Sequence, residues 1–536
     1  MNQANRQRRV RAPQEDGAVL AEPPLSEAGT LIAANRRRLA TQQIPILNRP
    51  LAELRRLACV EALAAAREYL RTGEEPLPNG DRHSLLMAGH QPELFHPGVW
   101  VKNFALNRLA RLHDATPVNL VVDNDIAKST TLRVPVLATP ETPFPHIAHV
   151  PFDRWTGEVP YEERPVRDEA FFAEVPSRVA PFLEGWNFEP LLPDFWQEVR
   201  KHSARTPLLG ERFARARRAL ERRWGCDNLE LPVSILCRTE SFAWFAAHLL
   251  AQLSSFHAIY NSCVHEHRRL YGIRSRNHPV PDLAREGDWL EVPLWAWKSG
   301  AGNRDRLFAR QTATQIELRA GREPWPGLPL PGADVTRLVQ AWRSLETRGF
   351  KIRSRALTNT LFARLLLADL FVHGIGGGKY DELTDAMIRR FFQIEPPHFL
   401  VLSATLLLPF AKSQITLPLR RQLAQVQRDL RYNPQRHLSD GDAVDHTAQQ
   451  LRAEKQGWID RQPQSAAERR QRFQTLRRLT GQLAPYVAGK LTEVKSKRAQ
   501  AERDLDAVAV LQRRDYAFCL YPEALLWQFC GQFLEP

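Results

Sequence analysis

The chain has 536 residues, 43% apolar, 25% charged and 9% aromatic, with a mean hydropathy of -0.40. That composition excludes wholesale disorder and fibrous repeats, and it supplies a large core for about three to four domains. Its 74 basic residues exceed 60 acidic ones, for a net charge of +14, and only eleven of the basic residues are lysines. Such a charge favours anionic partners, although arginines and acids are interleaved and no long polybasic block occurs.

No run of about 18 apolar residues exists, so no membrane-spanning helix is expected. The start, MNQANRQRRVRAPQEDG, has no apolar run behind its arginines, so a secretory leader is not expected and a cytoplasmic location is. The cysteines are Cys59, Cys226, Cys237, Cys263, Cys519 and Cys530, with no C-x-x-C pair. Reduced, structural thiols are therefore expected rather than a zinc ribbon or a thioredoxin-like motif.

Residues 1–40 are polar and Arg-rich and predict a flexible arm. LAELRRLACVEALAAAREYL, from Leu51, has helical spacing. HSLLMAGH predicts a short buried strand, VWVKNFALNRLARLH a helix and PVNLVV a second buried strand. That order with short loops predicts a parallel βαβ unit. Residues 151–228 predict a helical insertion punctuated by Pro181, Pro190, Pro193 and Pro207. ELPVSILC reads as a strand, SFAWFAAHLLAQLSSF as a helix, and DWLEVPLWAWK and RLFARQ as strands around a turn at Gly300 to Asn303. KIRSRAL reads as a strand, TNTLFARLLLADLF as a helix, VHGIGGGKY as a glycine-rich loop, DELTDAMIRRFF as a helix and HFLVLSATLLL as a strand.

The predicted fold is α/β, with a Rossmann-like parallel-sheet core over 41–150 and 229–410 interrupted by the helical insertion. Residues 411–513 predict an antiparallel helical coiled coil. Ser465 and Glu468 have capping-box spacing, and Phe473, Leu476, Leu483 and Val487 form the next apolar seam. Leu491, Val494, Ala501, Leu505 and Val508 follow a heptad seam with Arg498 in one seam position, so homodimerisation through the coil is expected. The apolar end, 514–536, is expected to pack back on the core.

Three motifs carry candidate chemistry. Gly89-His90-Gln91-Pro92 follows a predicted strand, and ligands of doubly wound sheets bind at strand carboxyl ends. Gly89 permits close backbone approach, His90 and Gln91 offer hydrogen bonds, and the helix start near Gly98 favours an anion. Asn103 of the same helix is grouped with these as substrate-binding. Asp123-Asn124-Asp125 follows the next strand and places carboxylates where an amine or hydroxyl is to be oriented. Gly374-Ile375-Gly376-Gly377-Gly378-Lys379-Tyr380 lacks P-loop spacing, but its amides and Lys379 suit an anion, with Gly376, Gly377, Gly378, Lys379 and Tyr380 as binding residues. His265 and His267 lie two apart on a predicted helix and face different directions, so no metal site is expected. No G-x-S-x-G elbow is present.

The ordered motifs resemble the BshC family, the cysteine ligases of bacillithiol biosynthesis. MAGHQPELFHPGVWVKN stands where that family has a T-G-Q-Q-x-G-L-type turn, keeping Gly89, Gln91, Leu94, Phe95 and Gly98. LVVDNDIAKST matches its acidic loop through Asp123 and Asp125, with Asn124 where a histidine is expected. HGIGGGKYDELTDAMIRRFF and FLVLSATLLL match the later glycine loop, helix and strand, with Lys379 where an acid is usual. The resemblance runs from about residue 80 onward. It implies a Rossmann-like core with helical connectors and a dimerising coiled coil, and a reaction that joins cysteine to a glucosaminyl-malate acceptor. Activating a carboxylate for this needs ATP or another activated donor, and no strong nucleotide motif is visible.

The expected function is thus a ligase or transferase acting on a small anionic metabolite, with His90 as a proton-transfer or orienting group and Asp123 and Asp125 orienting the nucleophile. Two other classes compete. One is an Arg-rich nucleic-acid-binding or scaffold protein. The other is a class I nucleotidylyl transferase-like enzyme, suggested by the strand followed by Gly89-His90.

Overall fold

The computed structural model describes residues 10–78, 82–332, 334–410, 417–438 and 446–534. Strand β1 (Val19–Glu22) precedes helices α1 (Ala28–Ala40) and α2 (Leu51–Thr72). Strand β2 (Leu85–His90), helix α3 (Pro97–Leu112) and strand β3 (Thr116–Val121) follow. A hairpin of Thr131–Val136 and His146–Pro151 leads to several helices, of which α4 (Leu209–Arg223) is the last. Then come strand β4 (Leu229–Pro232) and helix α5 (Glu240–Ala251). Strands β5 (Trp289–Lys298), β6 (Asp305–Gln311), β7 (Gln315–Ala320), β8 (Glu323–Pro329) and β9 (Phe350–Ser354) form the next block. Helix α6 (Ala356–Leu366), strand β10 (Leu370–His373), helix α7 (Ile375–Met387) and strand β11 (Phe399–Ala404) return to α/β alternation. Helices α8 (Leu417–Tyr432), α9 (His446–Asp460), α10 (Ala466–Leu483) and α11 (Ala488–Leu511) follow, before a last short helix at Glu523–Gly531.

The first sheet has the order β1-β11-β10-β2-β3-β4. All its pairings are parallel except that of β1 with β11. The chain winds outward from β2 through β3 to β4, then returns to β10 on the other side of β2 and winds outward to β11. The winding reverses between β2 and β10, where the connections leave opposite faces and open a crevice at the carboxyl ends. The strands are near-continuous apolar runs because both faces are covered. Leu85 and Met87 face a core with α2, α5 and α6, whereas Leu86 and Ala88 face a second core with α3 and α4.

Two expectations need correction. Residues 19–40 are not an arm. The edge of β11 is completed by β1, and Asn35 of α1 donates to the carbonyls of Asp369 and His398. Residues 1–9 lie outside the described residues. KIRSRAL does not enter the parallel sheet. Its strand, β9, pairs antiparallel with β5 in a separate sheet of order β8-β7-β6-β5-β9. The coil seam on α11 lies along α8 of the same chain, where Arg498 donates to Gln427 at 2.8 Å. Phe473, assigned to the α10 seam, is 66% exposed. The end of the chain is buried from Tyr516 to Tyr521, and the Phe518 amide donates to the Phe95 carbonyl at 2.9 Å.

A chain of buried charges lies under the β2–β3 end. Helix α4 reads LGERFARARRALERR, and most of its arginines point inward. The Glu221 carboxylate accepts from Trp100, Asn103 and Arg217 at 2.6, 2.6 and 2.7 Å. Arg217 and Arg218 both pair with Glu230, whose side chain is wholly buried. Glu75 then takes Arg218, Arg222 and Arg215. Burial alone would raise the Glu75 pKa, but the hydrogen bond and charge of Arg218, with Arg222 and Arg215, hold it down to about 2. A depressed carboxyl pKa stabilises the fold above its ordinary value of 4.5, and that stability is lost as pH falls toward 2. We expect Glu75→Gln to cost about 3 kcal/mol at neutral pH. In urea titrations the gap between variant and parent should close as pH falls below about 4. A gap independent of pH would refute this linkage.

Candidate functional site

Strand β2 delivers Gly89 and His90 to the crevice. A Cβ at Gly89 would press on the Leu120 side chain and carbonyl at 3.2 and 3.3 Å, so glycine lets β2 and β3 close up here. His90 is buried, with Nε2 3.3 Å from Asn103 Oδ1 and Nδ1 3.1 Å from the Gln91 carbonyl. Asn103 Nδ2 donates to Glu221, so its oxygen faces the ring, and a neutral imidazole, with one N–H, donates either to that oxygen or to the Gln91 carbonyl. Burial, then the charges of Lys102 and Arg217, push the His90 pKa well below its ordinary value. The ring is neutral and committed to internal partners. It fits the orienting role and not that of a free proton carrier.

Next to it, Gln91 Nε2 donates to Asp125 Oδ2 at 2.9 Å. Asp125 Oδ1 accepts from the Ile126 amide at 2.9 Å and from Arg304 at 2.8 Å. Arg304 comes from the β5–β6 loop, so the antiparallel sheet reaches into this rim. Asp123 accepts from the Ser234 amide at 2.9 Å and from the Ser234 hydroxyl. Burial, then the neighbouring Glu162 carboxylate, push Asp123 up to about 7. Asn124 is buried and donates to the Ser354 carbonyl at 2.7 Å. Asp123 is poised to exchange a proton near neutrality, and three donors hold the Asp125 carboxylate in place.

The glycine run is not a loop. Gly374 caps α7, and Gly376, Gly377 and Gly378 lie in its first turn and a half. Their smallness serves packing. A Cβ on Gly378 would collide with the Val401 side chain, and one on Gly377 would sit 2.8 Å from His373 Nδ1. Val372 pairs with Ala88, and α7 starts three residues later at Ile375, so its N-terminus follows the strand next to the one that carries Gly89 and His90. Lys379 is exposed on α7, and Tyr380 packs against the first core. Gly98 is likewise a packing residue, since a Cβ there would strike the Ala404 carbonyl. Asn103 belongs to the buried network and not to a ligand surface.

The structure therefore joins Gly89, His90, Gln91, Asp123 and Asp125 at one rim and sets the α7 start on the adjacent strand. It withdraws Gly98, Asn103 and Tyr380 into packing. Lys379 makes no hydrogen bond to the rim. Among the described residues, no group of three or more His, Cys, Asp or Glu is arranged to hold a metal ion. Compared with protein-family models and with curated proteins, the chain matches none.

Sequence reasoning missed Lys102, Ser234 and Arg304. Lys102 had a signal, a lysine within the apolar run VWVKNFAL, and it is 4% exposed and donates to the Gly89 carbonyl at 3.1 Å. Ser234 and Arg304 had none, because both arrive from distant elements. We expect carbon-13 NMR of aspartate-labelled protein to show a carboxyl titrating near pH 7 that moves lower in Glu162→Gln. No aspartate titrating above about pH 5 would contradict the site as described.

Proposed function

We propose that the chain is a BshC-like ligase or transferase acting on a small anionic metabolite, and that it joins cysteine to an amino-sugar conjugate in low-molecular-weight thiol biosynthesis. The observation that carries this reading is the convergence of the β2 end, the acidic β3 loop and the α7 start on the crevice where the sheet winding reverses. The order β11-β10-β2-β3-β4 with helices on both faces supports reading the core as doubly wound and Rossmann-like. Those are the elements that carry the sequence resemblance.

In this reading an amine nitrogen attacks an activated carboxyl carbon. The new bond is C–N, the activating group leaves, and the nitrogen proton passes to Asp123. Asp125 and Gln91 orient the amine. His90, held by Asn103, keeps the turn in place, and the first-turn amides of α7 face the negative charge of the acid partner. ATP or another activated donor supplies the leaving group. Homodimerisation belongs to the same proposal, with the exposed Phe473 of α10 as an apolar contact left free by the α8–α11 pairing. A cytoplasmic location also belongs to it. No helix among the described residues is long and apolar enough to cross a membrane.

Untargeted metabolite profiling of a deletion strain tests the reading. The expected result is loss of one low-molecular-weight thiol with accumulation of its amino-sugar precursor, restored by the wild-type gene but not by Asp123→Asn. Unchanged thiol pools would sink the ligase proposal.

A further inference from the structure

A cavity of about 510 Å³ lies at the amino ends of the parallel strands, on the far side of the sheet from the rim. Asp369, the residue before β10, lines it, and the Asp369 amide donates to the carbonyl of Leu85, the first residue of β2. His90 stands at the other end of that strand, about 17 Å away at the usual rise per residue. Helix α1 presents Arg36, Leu39 and Ala40 to the cavity, and α2 presents Ala52, Arg55, Arg56, Cys59 and Val60. Both sets have the three- and four-residue spacing of one helix face, so the cavity is a groove between two such faces.

The groove is apolar along its walls and basic at its edges. Leu39 and Ala52 are buried in it, while Val60 is 56% exposed, so part of the apolar wall faces water. Three lining arginines face one lining carboxylate. One Asp369 oxygen accepts from Arg36 at 2.9 Å and from the Ser84 hydroxyl at 2.6 Å, and the other accepts from Arg55 at 2.6 Å. Arg55 gives a second nitrogen to the Leu365 carbonyl at 3.2 Å. Both Asp369 oxygens are therefore engaged without Arg56. Arg56 is exposed and has no hydrogen-bond or ion-pair partner among the described residues. Set against the single carboxylate, the three guanidinium groups leave the groove an excess of two positive charges.

We propose that this groove binds a small amphipathic anion, a carboxylate or phosphate monoester head on an apolar tail. The head accepts from Arg56 and supplies the missing negative charge, and the tail covers Leu39, Ala52 and Val60. The groove has the volume of a small-molecule site. A bare ion would leave its apolar wall in water, and an uncharged apolar molecule would leave Arg56 without a partner. The site lies away from the rim and does not rest on the ligase reading.

Calorimetry on the full chain tests it, with octanoate and, separately, octyl phosphate, each below its micelle concentration. The expected result is saturable one-to-one binding of at least one of them. Acetate, which lacks the tail, and octylammonium, which reverses the charge of the head, should bind about tenfold more weakly or not at all. Arg56→Gln should weaken binding about tenfold, and Val60→Asp should do the same by setting a carboxylate on the apolar wall. Both positions are exposed, so both variants should fold as the parent does. Asp123→Asn, at the rim, should bind as the parent does. Octanoate alone would identify a carboxylate head, octyl phosphate alone a phosphate head, and either supports the groove. No saturable binding of either, binding unchanged in Arg56→Gln or in Val60→Asp, or octylammonium bound as tightly as the anions overturns the proposal.

Discussion

The Glu221 carboxylate is the hinge on which the rest of the arrangement turns. It sits in the second core and accepts at once from Trp100 and Asn103 of α3 and from Arg217 of its own helix α4. Through Asn103 it fixes the His90 ring, and through Arg217 it joins Glu230, Arg218 and Glu75. Ion pairs taken out of water give little net stability against an apolar core, but removing one partner leaves the other stranded at high cost. Such a chain therefore specifies geometry more than it adds stability. Here it sets how α3 and α4 lie against the sheet, and so where the β2 turn points.

The rim is the meeting place of two sheets and not the property of one. The parallel sheet supplies Gly89, Gln91, Asp123 and Asp125 at strand ends, and the antiparallel sheet supplies Arg304 and the Ser354 carbonyl that hold the acidic loop. Asp123 and Asp125 lie two residues apart yet receive different surroundings. One is desolvated beside Glu162 and Ser234, and the other is held in place by three donors.

The parallel strands were legible because strands buried on both faces must be apolar throughout, as LLMAG and FLVLSA are. The βαβ order alone places His90 and Asp123 at neighbouring strand ends. The glycine run misled, since glycine usually marks a turn, whereas Gly377 and Gly378 are small so that α7 can pack on His373 and Val401. KIRSRAL was recognisable as a strand, but a short apolar run does not say which sheet it joins. The heptad seam of α11 was equally visible, yet spacing does not distinguish a partner helix in the same chain from one in another copy. Arg304 and Ser234 reach the site from afar, and nothing local in their sequence marks them. The N-terminal strand escaped because VLAE is too short to stand out from a polar surround.

Hydrogen–deuterium exchange of the full chain with and without L-cysteine is the most direct test that the rim fixed by Glu221 is where the small-molecule substrate binds. The account predicts slower exchange in residues 89–96, 122–128 and 374–379 when the amino acid is added, with the same segments unresponsive in Asp123→Asn. Exchange unchanged in those segments, or protection confined to the helices of 417–511, would contradict it.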